Sequence, residues 1–361
     1  MDIKTPTLLV DKEKVIRNIE KMAEKAKKSR AVLRPHFKTH FSAEIGGWFK
    51  DFGVKTCTVS SVSMAQYFAS HDWDDITIAF PYNLLESAEI NELAEKVNLN
   101  ILVESEESLA HIQKHIAANI GYFIKIDVGT HRTGVDPRNG ALIKTLVDIS
   151  SDQIQFKGFL AHAGHTYGCR DLEGIQWIFD GSVKTLSELK NKFGGIISYG
   201  DTPTCSLIDD FSFCDEMRPG NFVFYDWMQH QIGSCAVDEI AVCLACPVVA
   251  IHKERNEIVV YGGGVHLSKE MVQEKDIMGK DLKCFGKMVS LQKDGWSSEI
   301  RGNVVRLSQE HGIIKLSSDE IARVKVGHLI GILPVHSCLT ADLQGHYLST
   351  SGDKIEKMTK N

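Results

Sequence analysis

The sequence predicts an α/β fold: a (β/α)8 barrel of the TIM type, joined to an all-β domain. Three observations predict it. Eight short apolar, β-branched runs occur before about residue 235, amphipathic stretches separate most of them, and beyond that point the helical period fades. A length of 361 residues accommodates a barrel with an appended domain. A doubly wound open sheet is the competing architecture, and counting runs does not exclude it.

The elements follow in order. Residues 6–10 read as a strand and 12–28 as a helix. The eight runs are residues 32–35, 56–60, 76–80, 99–103, 122–128, 155–161, 196–200 and 217–222. Helical stretches are expected at 63–70, 84–96, 106–118 and 172–193, the last the longest. The basic stretch 21–30 reads as a solvated helix face. After residue 235 come a long apolar run at 236–251 and shorter ones at 257–261, 304–307, 312–316 and 329–334, with turns such as Lys293-Asp294-Gly295 between them. The expected division is a barrel over residues 11–235 and a β domain from residues 236–361 plus 1–10, so that the N-terminal strand joins the second domain.

Composition narrows the function. An apolar fraction of 43% and a charged fraction of 24% are ordinary for a soluble globular chain. A net charge of −6 gives no electrostatic footprint for nucleic acid. No apolar run approaches the ~18 residues of a membrane span. The start, Met1-Asp2-Ile3-Lys4, has no apolar signal core, and the nine cysteines are scattered. Reduced thiols in the cytoplasm are the expectation.

Chemistry concentrates where the runs end, because parallel barrels gather their sites at the carboxyl face. Lys38 leads. It lies in Arg34-Pro35-His36-Phe37-Lys38-Thr39-His40, just past the first run. A desolvated lysine there has a lowered pKa and acts as a nucleophile toward carbonyls; the plain alternative is a surface lysine past a strand end. Other polar clusters are Asp127-Val128-Gly129-Thr130-His131-Arg132-Thr133-Gly134, His162-Ala163-Gly164-His165-Thr166-Tyr167-Gly168, Ser198-Tyr199-Gly200-Asp201-Thr202-Pro203-Thr204 and Arg218-Pro219-Gly220-Asn221. The last two resemble anion cradles, where small residues admit the backbone and a threonine hydroxyl reaches phosphate oxygens. Together with Lys38 they point to pyridoxal 5'-phosphate, which needs an amine for its aldehyde and donors for its phosphate.

At the far end, His336 and Cys338 form a His-x-Cys pair. On an extended segment both side chains share a face, and imidazole plus thiolate suit Zn²⁺. Spacing alone favours a buried His and Cys in a β core. Cys243 and Cys246 have CxxC spacing but lie in an apolar run and read as core thiols. Gly262-Gly263-Gly264 reads as a turn, and Asp209, Asp210, Asp215 and Glu216 as a polar loop. His71, His111, His115, His252 and His328 read as ordinary surface or core residues.

With these motifs in hand, the chain resembles the family of metal-dependent D-serine dehydratases and D-threonine aldolases, fold-type III pyridoxal-phosphate enzymes with the alanine-racemase-like fold. Thr5-Pro6-Thr7-Leu8-Leu9-Val10-Asp11, the Lys38 heptapeptide, the clusters at Asp127, His162 and Arg218, and Pro334-Val335-His336-Ser337-Cys338-Leu339-Thr340 carry the resemblance, which spans nearly the whole chain. It implies Lys38 as the Schiff-base lysine. It implies a phosphate held by Thr202, Gly220 and Asn221, Arg132 facing the cofactor ring, and Tyr167 touching the cofactor. It also favours His336 and Cys338 as ligands of Zn²⁺. Leu160 departs from the pattern, since relatives often carry an aromatic residue there. The implied activity is dehydration of D-serine to pyruvate and ammonia, or of a related β-hydroxy D-amino acid. Retro-aldol cleavage, racemisation and non-catalytic cofactor binding are the alternatives. A small-molecule substrate and a homodimer are implied; nucleic-acid and membrane partners are not.

Overall fold

The structure, a computed structural model, describes residues 3–275 and 279–359. The chain forms two compact units, Glu20–Lys38 with Ile45–Gly220, and Met1–Ile19 with Thr39–Glu44 and Asn221–Asn361. Strand β1 (Thr7–Val10) and helix α1 (Lys12–Lys28) open the chain.

The first unit is the barrel. Its strands are β2 (Val32–Leu33), β3 (Cys57–Val59), β4 (Asp75–Pro81), β5 (Asn98–Val103), β6 (Ile120–Lys125), β7 (Ile154–Ala161), β8 (Ile196–Tyr199) and β9 (Glu216–Met217). All pairings are parallel, and the order is β2-β9-β8-β7-β6-β5-β4-β3. Each strand lies beside its sequence neighbour, which removes the doubly wound alternative. A parallel bridge between His36 and Thr58, with Thr58 N–H donating to Pro35 O at 2.9 Å, joins the first strand to the second and closes the ring. The strands read as apolar runs because both faces are covered, most completely in β6, where all six residues are buried.

Local signals start the helices. Ser61, Ser105, Asn139, Asp171 and Asp201 each accept a backbone N–H at the head of α3 (Val62–Ala69), α5 (Glu106–His115), α6 (Gly140–Asp148), α7 (Leu172–Phe193) and α8 (Thr202–Leu207). Helix α7 has the bounds its periodicity predicts, and Gly194 at φ +75° ends it. The stretch 84–96 is a 3₁₀ turn followed by α4 (Ser87–Ala94). Helices α2 (Ala43–Lys50), α6 and α8 go beyond the sequence expectation; all are short, and α2 carries two glycines. The eighth run is shorter than expected. Its strand stops at Met217, because Pro219 and Gly220 turn the chain into a 3₁₀ turn at Asn221–Val223. Gly158 allows a shift in register between β6 and β7. It sits at φ +148°, and a Cβ there would collide with Ile196 O.

The second unit is the β domain, and β1 belongs to it. The strands are β10 (Val242–His252), β11 (Glu257–Tyr261), β12 (Val272–Lys275), β13 (Asp281–Cys284), β14 (Gly286–Val289), β15 (Leu291–Gln292), β16 (Gly295–Trp296), β17 (Gly302–Leu307), β18 (His311–Leu316), β19 (Leu329–Pro334), β20 (His346–Ser349) and β21 (Lys354–Glu356). Nine strands run in the order β11-β18-β17-β14-β19-β10-β1-β20-β21, and β10 also pairs with β11, closing six of them into an antiparallel barrel. Strand β1 pairs antiparallel with β10 and parallel with β20. Helices here, α9 (Trp227–Ile232), α10 (Gly264–Leu267), α11 (Ser318–Arg323) and α12 (Ser337–Leu343), do not exceed seven residues, which explains the weak helical period. Cys243 and Cys246 are fully buried in β10, and burial pushes both thiols up, as core thiols require.

Residues Thr39–Glu44 are stitched into this unit near its C-terminal strands. Tyr347 Oη donates to His40 O at 2.6 Å, Ser42 Oγ to Glu356 O at 2.6 Å, and Met358 N–H to Phe41 O at 2.6 Å. His40 is fully buried, its Nδ1 accepts Ser42 N–H at 3.1 Å, and burial lowers its pKa to about 3. An unfolded histidine takes its proton near pH ~6.5, well before this one does. The stability His40 contributes is therefore complete above pH ~6.5 and is lost as pH falls toward its folded value. Between pH 6 and 4 the unfolding free energy of wild type should fall more steeply than that of His40→Gln. The slope difference should approach about 1.4 kcal/mol per pH unit, read from denaturant titrations. Parallel slopes would mean that His40 is already protonated in the folded chain.

Candidate active site

In the barrel unit the site is built from strand ends. Lys38 lies in a one-turn 3₁₀ helix, Phe37–Thr39, directly after β2. Phe37 anchors the turn. Its fully buried ring meets Phe49 at 5.3 Å, Phe68 at 4.8 Å and Trp73 edge-on at 4.8 Å. Strand β2 has only two residues, so side chains hold it as well. The buried Arg34 guanidinium meets Glu216 Oε1 at 2.8 Å and Asp75 Oδ1 at 2.7 Å. Glu216 and Asp215 are thus no polar loop. Glu216 begins β9 and is buried, and Asp215 Oδ2 accepts both Lys190 Nζ and Ile197 N–H.

The network continues. Ser198 Oγ donates to Glu216 Oε2 at 2.6 Å and accepts Arg218 Nε at 2.7 Å, while Arg218 Nη2 donates to Ala161 O at 2.6 Å. Arg218 is fixed by these contacts, and desolvation lowers its pKa to about 10 against the opposing charge of Glu216. Lys125 is another buried cation. Its Nζ donates to Ile126 O at 3.0 Å, and burial, then Arg218, brings it down to about 8 despite Glu104.

His36 and His162 share this cationic setting. Desolvation first, then Lys38, holds both well below the ordinary imidazole value, with Arg132 adding to each. Both are neutral at pH 7, and their hydrogen bonds fix opposite tautomers. His162 Nδ1 faces Gly200 O at 2.8 Å and must donate, so its Nε2 is an acceptor. His36 Nδ1 accepts Lys38 N–H at 3.4 Å, so its Nε2 carries the proton.

Arg132 is exposed on a loop organised by Asp127, whose Oδ1 accepts Gly129 N–H at 2.9 Å and His131 N–H at 3.0 Å. His131 takes φ +53° to make that bond. Tyr167 is half-buried in a 3₁₀ turn, Gly164–Gly168. Thr202 opens α8, fully buried, and its Oγ1 has no hydrogen-bond partner among the described residues. Gly220 is the last residue of this unit. Leu160 is buried against Leu102 and Phe123.

The other unit brings together His336, Cys338 and Asn221. The expected extended segment ends early. Strand β19 stops at Pro334, His336 occupies the N-cap of α12 at φ −132°, and Cys338 lies in its first helical turn. The two side chains still meet. Desolvation lowers the His336 pKa, but a hydrogen bond and charge from Cys338, with Asp226 and Glu270 adding, raise it overall to about 9. Thr39 Oγ1 lies 3.2 Å and Asn221 Nδ2 3.5 Å from Cys338 Sγ. Asn221 Nδ2 gives one hydrogen to Asp226 Oδ2 at 2.6 Å and shares the other between Ser337 Oγ at 3.0 Å and Cys338 Sγ, while its Oδ1 is buried without a partner among the described residues. Among the described residues no group of three or more His, Cys, Asp or Glu converges as a metal cage.

Sequence reading did not single out Asp226, and it placed Ser198 and Arg218 only within anion cradles. A cap signal, Asp226 ahead of Gln229, marks a helix start but does not disclose the contact to Ser337.

The fold agrees with the comparisons. Residues 10–226 match the model for "Alanine racemase, N-terminal domain", and residues 241–350 match "Putative serine dehydratase domain". The chain belongs to the D-serine dehydratase-like family that carries the alanine racemase N-terminal domain. It is 29% identical to the D-serine dehydratase of Dictyostelium discoideum over 386 aligned residues, covering 98% of this chain and 94% of that protein. It is 25% identical to the D-threo-3-hydroxyaspartate dehydratase of Delftia sp., covering 98% and 96%. An alanine racemase-like protein from Idiomarina loihiensis, 26% identical, superposes with a TM-score of 0.88 over 99% of this chain and 98% of that one.

Removing one member of a buried ion pair strands its partner's charge. Glu216→Ala should destabilise the chain by about 3–5 kcal/mol in chemical denaturation. A loss below about 1 kcal/mol would show that Asp75 alone satisfies Arg34.

Proposed function

We propose that the protein is a lyase that dehydrates a β-hydroxy D-amino acid, D-serine foremost, to a keto acid and ammonia. It would use pyridoxal 5'-phosphate bound at Lys38 and Zn²⁺ bound by His336 and Cys338. The observation that carries this reading is the hydrogen-bonded His336–Cys338 pair at the head of α12.

The residues present fit both groups. A buried hydroxyl without a partner at Thr202 suits a phosphate oxygen, and the cations around His36 and His162 suit an anionic ligand. An imidazole and a thiol already in contact suit a borderline-soft ion, and two protein ligands leave positions for substrate and water. When bound, pyridoxal phosphate supplies a carbonyl for the substrate amine and an electron sink at the α-carbon, and zinc supplies a Lewis acid for the β-hydroxyl.

The chain's own residues supply the rest. Lys38 Nζ takes the proton from the substrate α-carbon. His162 offers a neutral acceptor at Nε2 and His36 a neutral donor at Nε2, so neither adds a positive charge that would compete for the anion. Thr202, Gly220 and Asn221 hold the phosphate, Asn221 through its main chain because its amide is committed to Asp226. Arg132 faces the cofactor ring and Tyr167 borders it. The soft sulfur of Cys338 favours zinc and loss of hydroxide over a harder ion and carbon–carbon cleavage. Nine free cysteines fit a reducing compartment, the cytoplasm, and no described helix is long and apolar enough to cross a membrane. We assign a homodimer, by resemblance.

Three measurements test this reading. Borohydride should fix the cofactor to wild type, and covalent cofactor retained by Lys38→Ala after the same treatment would falsify the lysine assignment. D-serine should yield pyruvate and ammonia, chelator should abolish turnover and zinc restore it; glycine and aldehyde from D-threonine without keto acid would instead establish an aldolase. Thr202→Val, nearly isosteric, should weaken cofactor binding about 10- to 100-fold by visible titration, the worth of a hydrogen bond to a charged group. An unchanged dissociation constant would remove Thr202 from the phosphate site.

A further inference from the structure

The start of α12 poses a capping problem. The first N–H groups of a helix need acceptors from outside it, usually from the N-cap side chain. His336 occupies the N-cap, yet its side chain makes no capping bond; it is engaged with Cys338 instead. A carboxylate from another element takes over. Asp226, fully buried at the head of α9, accepts Ser337 N–H at 2.9 Å and Ser337 Oγ at 3.2 Å on Oδ2. The same Oδ2 accepts Asn221 Nδ2 at 2.6 Å, and Oδ1 accepts Gln229 N–H at 2.9 Å.

One carboxylate therefore sets two things. It pins the residue between His336 and Cys338, which fixes the angle at which the two side chains converge. It also fixes which end of the Asn221 amide faces Cys338, because a carboxylate can only accept. The amide N–H₂ end is thereby turned toward Cys338 Sγ at 3.5 Å, where Thr39 Oγ1 also stands at 3.2 Å. An amide donor and a hydroxyl that can donate around sulfur match a sulfur used as a metal ligand, whose lone pairs need partners.

We propose that Asp226 is a positioning residue for a divalent metal ion, setting the bite of His336 and Cys338 and aiming the Asn221 amide at the sulfur. The inference rests on the reading of His336 and Cys338 as metal ligands. It goes further in assigning the control of that pair to a residue that touches neither the ion nor the substrate.

The test is metal binding by the full-length protein, stripped with chelator and titrated with Co²⁺ and, in competition with a chromophoric chelator, with Zn²⁺. Wild type should show a thiolate-to-cobalt charge-transfer band that Cys338→Ala abolishes. Asp226→Asn preserves volume but cannot accept at both oxygens. It should bind Zn²⁺ about 10- to 100-fold more weakly, as loss of an outer partner of a ligand does, with a shifted or weakened band. Its cofactor absorbance and melting profile should still show a folded protein. Ser337→Ala, which keeps the carboxylate and the main-chain bond, should bind within a few-fold of wild type. If Asp226→Asn does not fold, Asn221→Leu supplies the second arm, removing the amide aimed at the sulfur; it should perturb the cobalt band in the same direction. A Cys338-dependent band left unchanged by these variants overturns the role of Asp226 while sparing the metal site. No Cys338-dependent band in wild type overturns both.

Discussion

The working end of the barrel depends on the guanidinium of Arg34. A two-residue strand offers a short ladder, yet β2 must hold the seam between the last strand and the second. Arg34 strengthens that seam from inside the ring, reaching Glu216 on β9 and Asp75 on β4. Burying Arg34 and Glu216 carries a large desolvation cost, offset because Arg34 divides its donors between two carboxylates and Ser198 satisfies the remaining oxygen of Glu216. The network also passes its order onward. Through Ser198 it fixes Arg218, and through the main chain it fixes Pro35 and His36, three and two residues before Lys38.

The histidines report what each unit is suited to hold. In the barrel unit, burial and surrounding cations drive His36 and His162 to the neutral form. A region that repels an imidazolium attracts an anion. In the β unit, the thiol of Cys338 and the carboxylates Asp226 and Glu270 pull His336 the other way, past the cost of its own burial. A region that attracts an imidazolium attracts a metal cation, which would displace that proton. The same side chain, shifted in opposite directions by local charge, separates an anion-favouring cluster from a cation-favouring one without reference to any relative.

How much of this was legible in the sequence follows from the range of the interactions. Strand runs and the α7 period are local, so seven of the eight barrel strands lie close to the apolar runs that announce them, and α7 begins and ends as read. The eighth run misleads because Met217 and Phe222 are apolar for different reasons, one in a strand and one in a buried turn. Glu216 looked like part of a polar loop because its partner, Arg34, is distant in sequence, and only a closed ring brings the two together. The His-x-Cys spacing named two side chains that do meet, but with the wrong local geometry: alternation along a strand predicts a shared face, whereas a helix begins between the two residues. Asp226 was invisible for the same reason as Glu216. Its capping role is local and readable, but its contact with Ser337 joins residues far apart in the chain.

The proposed role of Lys38, an amine for a cofactor carbonyl, argues for a cofactor and not for one reaction. The choice of reaction moves to the sulfur. A thiolate is a strong donor, and a strong donor makes a metal ion a weaker Lewis acid. Hydrogen bonds to that sulfur draw density back from it and restore acidity to the ion. In this chain Thr39 and Asn221 are placed to do that, and a buried carboxylate fixes the second of them. Expelling hydroxide, a poor leaving group, asks for an acidic ion. Retro-aldol cleavage asks instead for a base at the same oxygen. On the proposed reading of Cys338 as a metal ligand, a sulfur whose lone pairs face donors agrees with dehydration, a distinction made around Cys338 and not at the lysine.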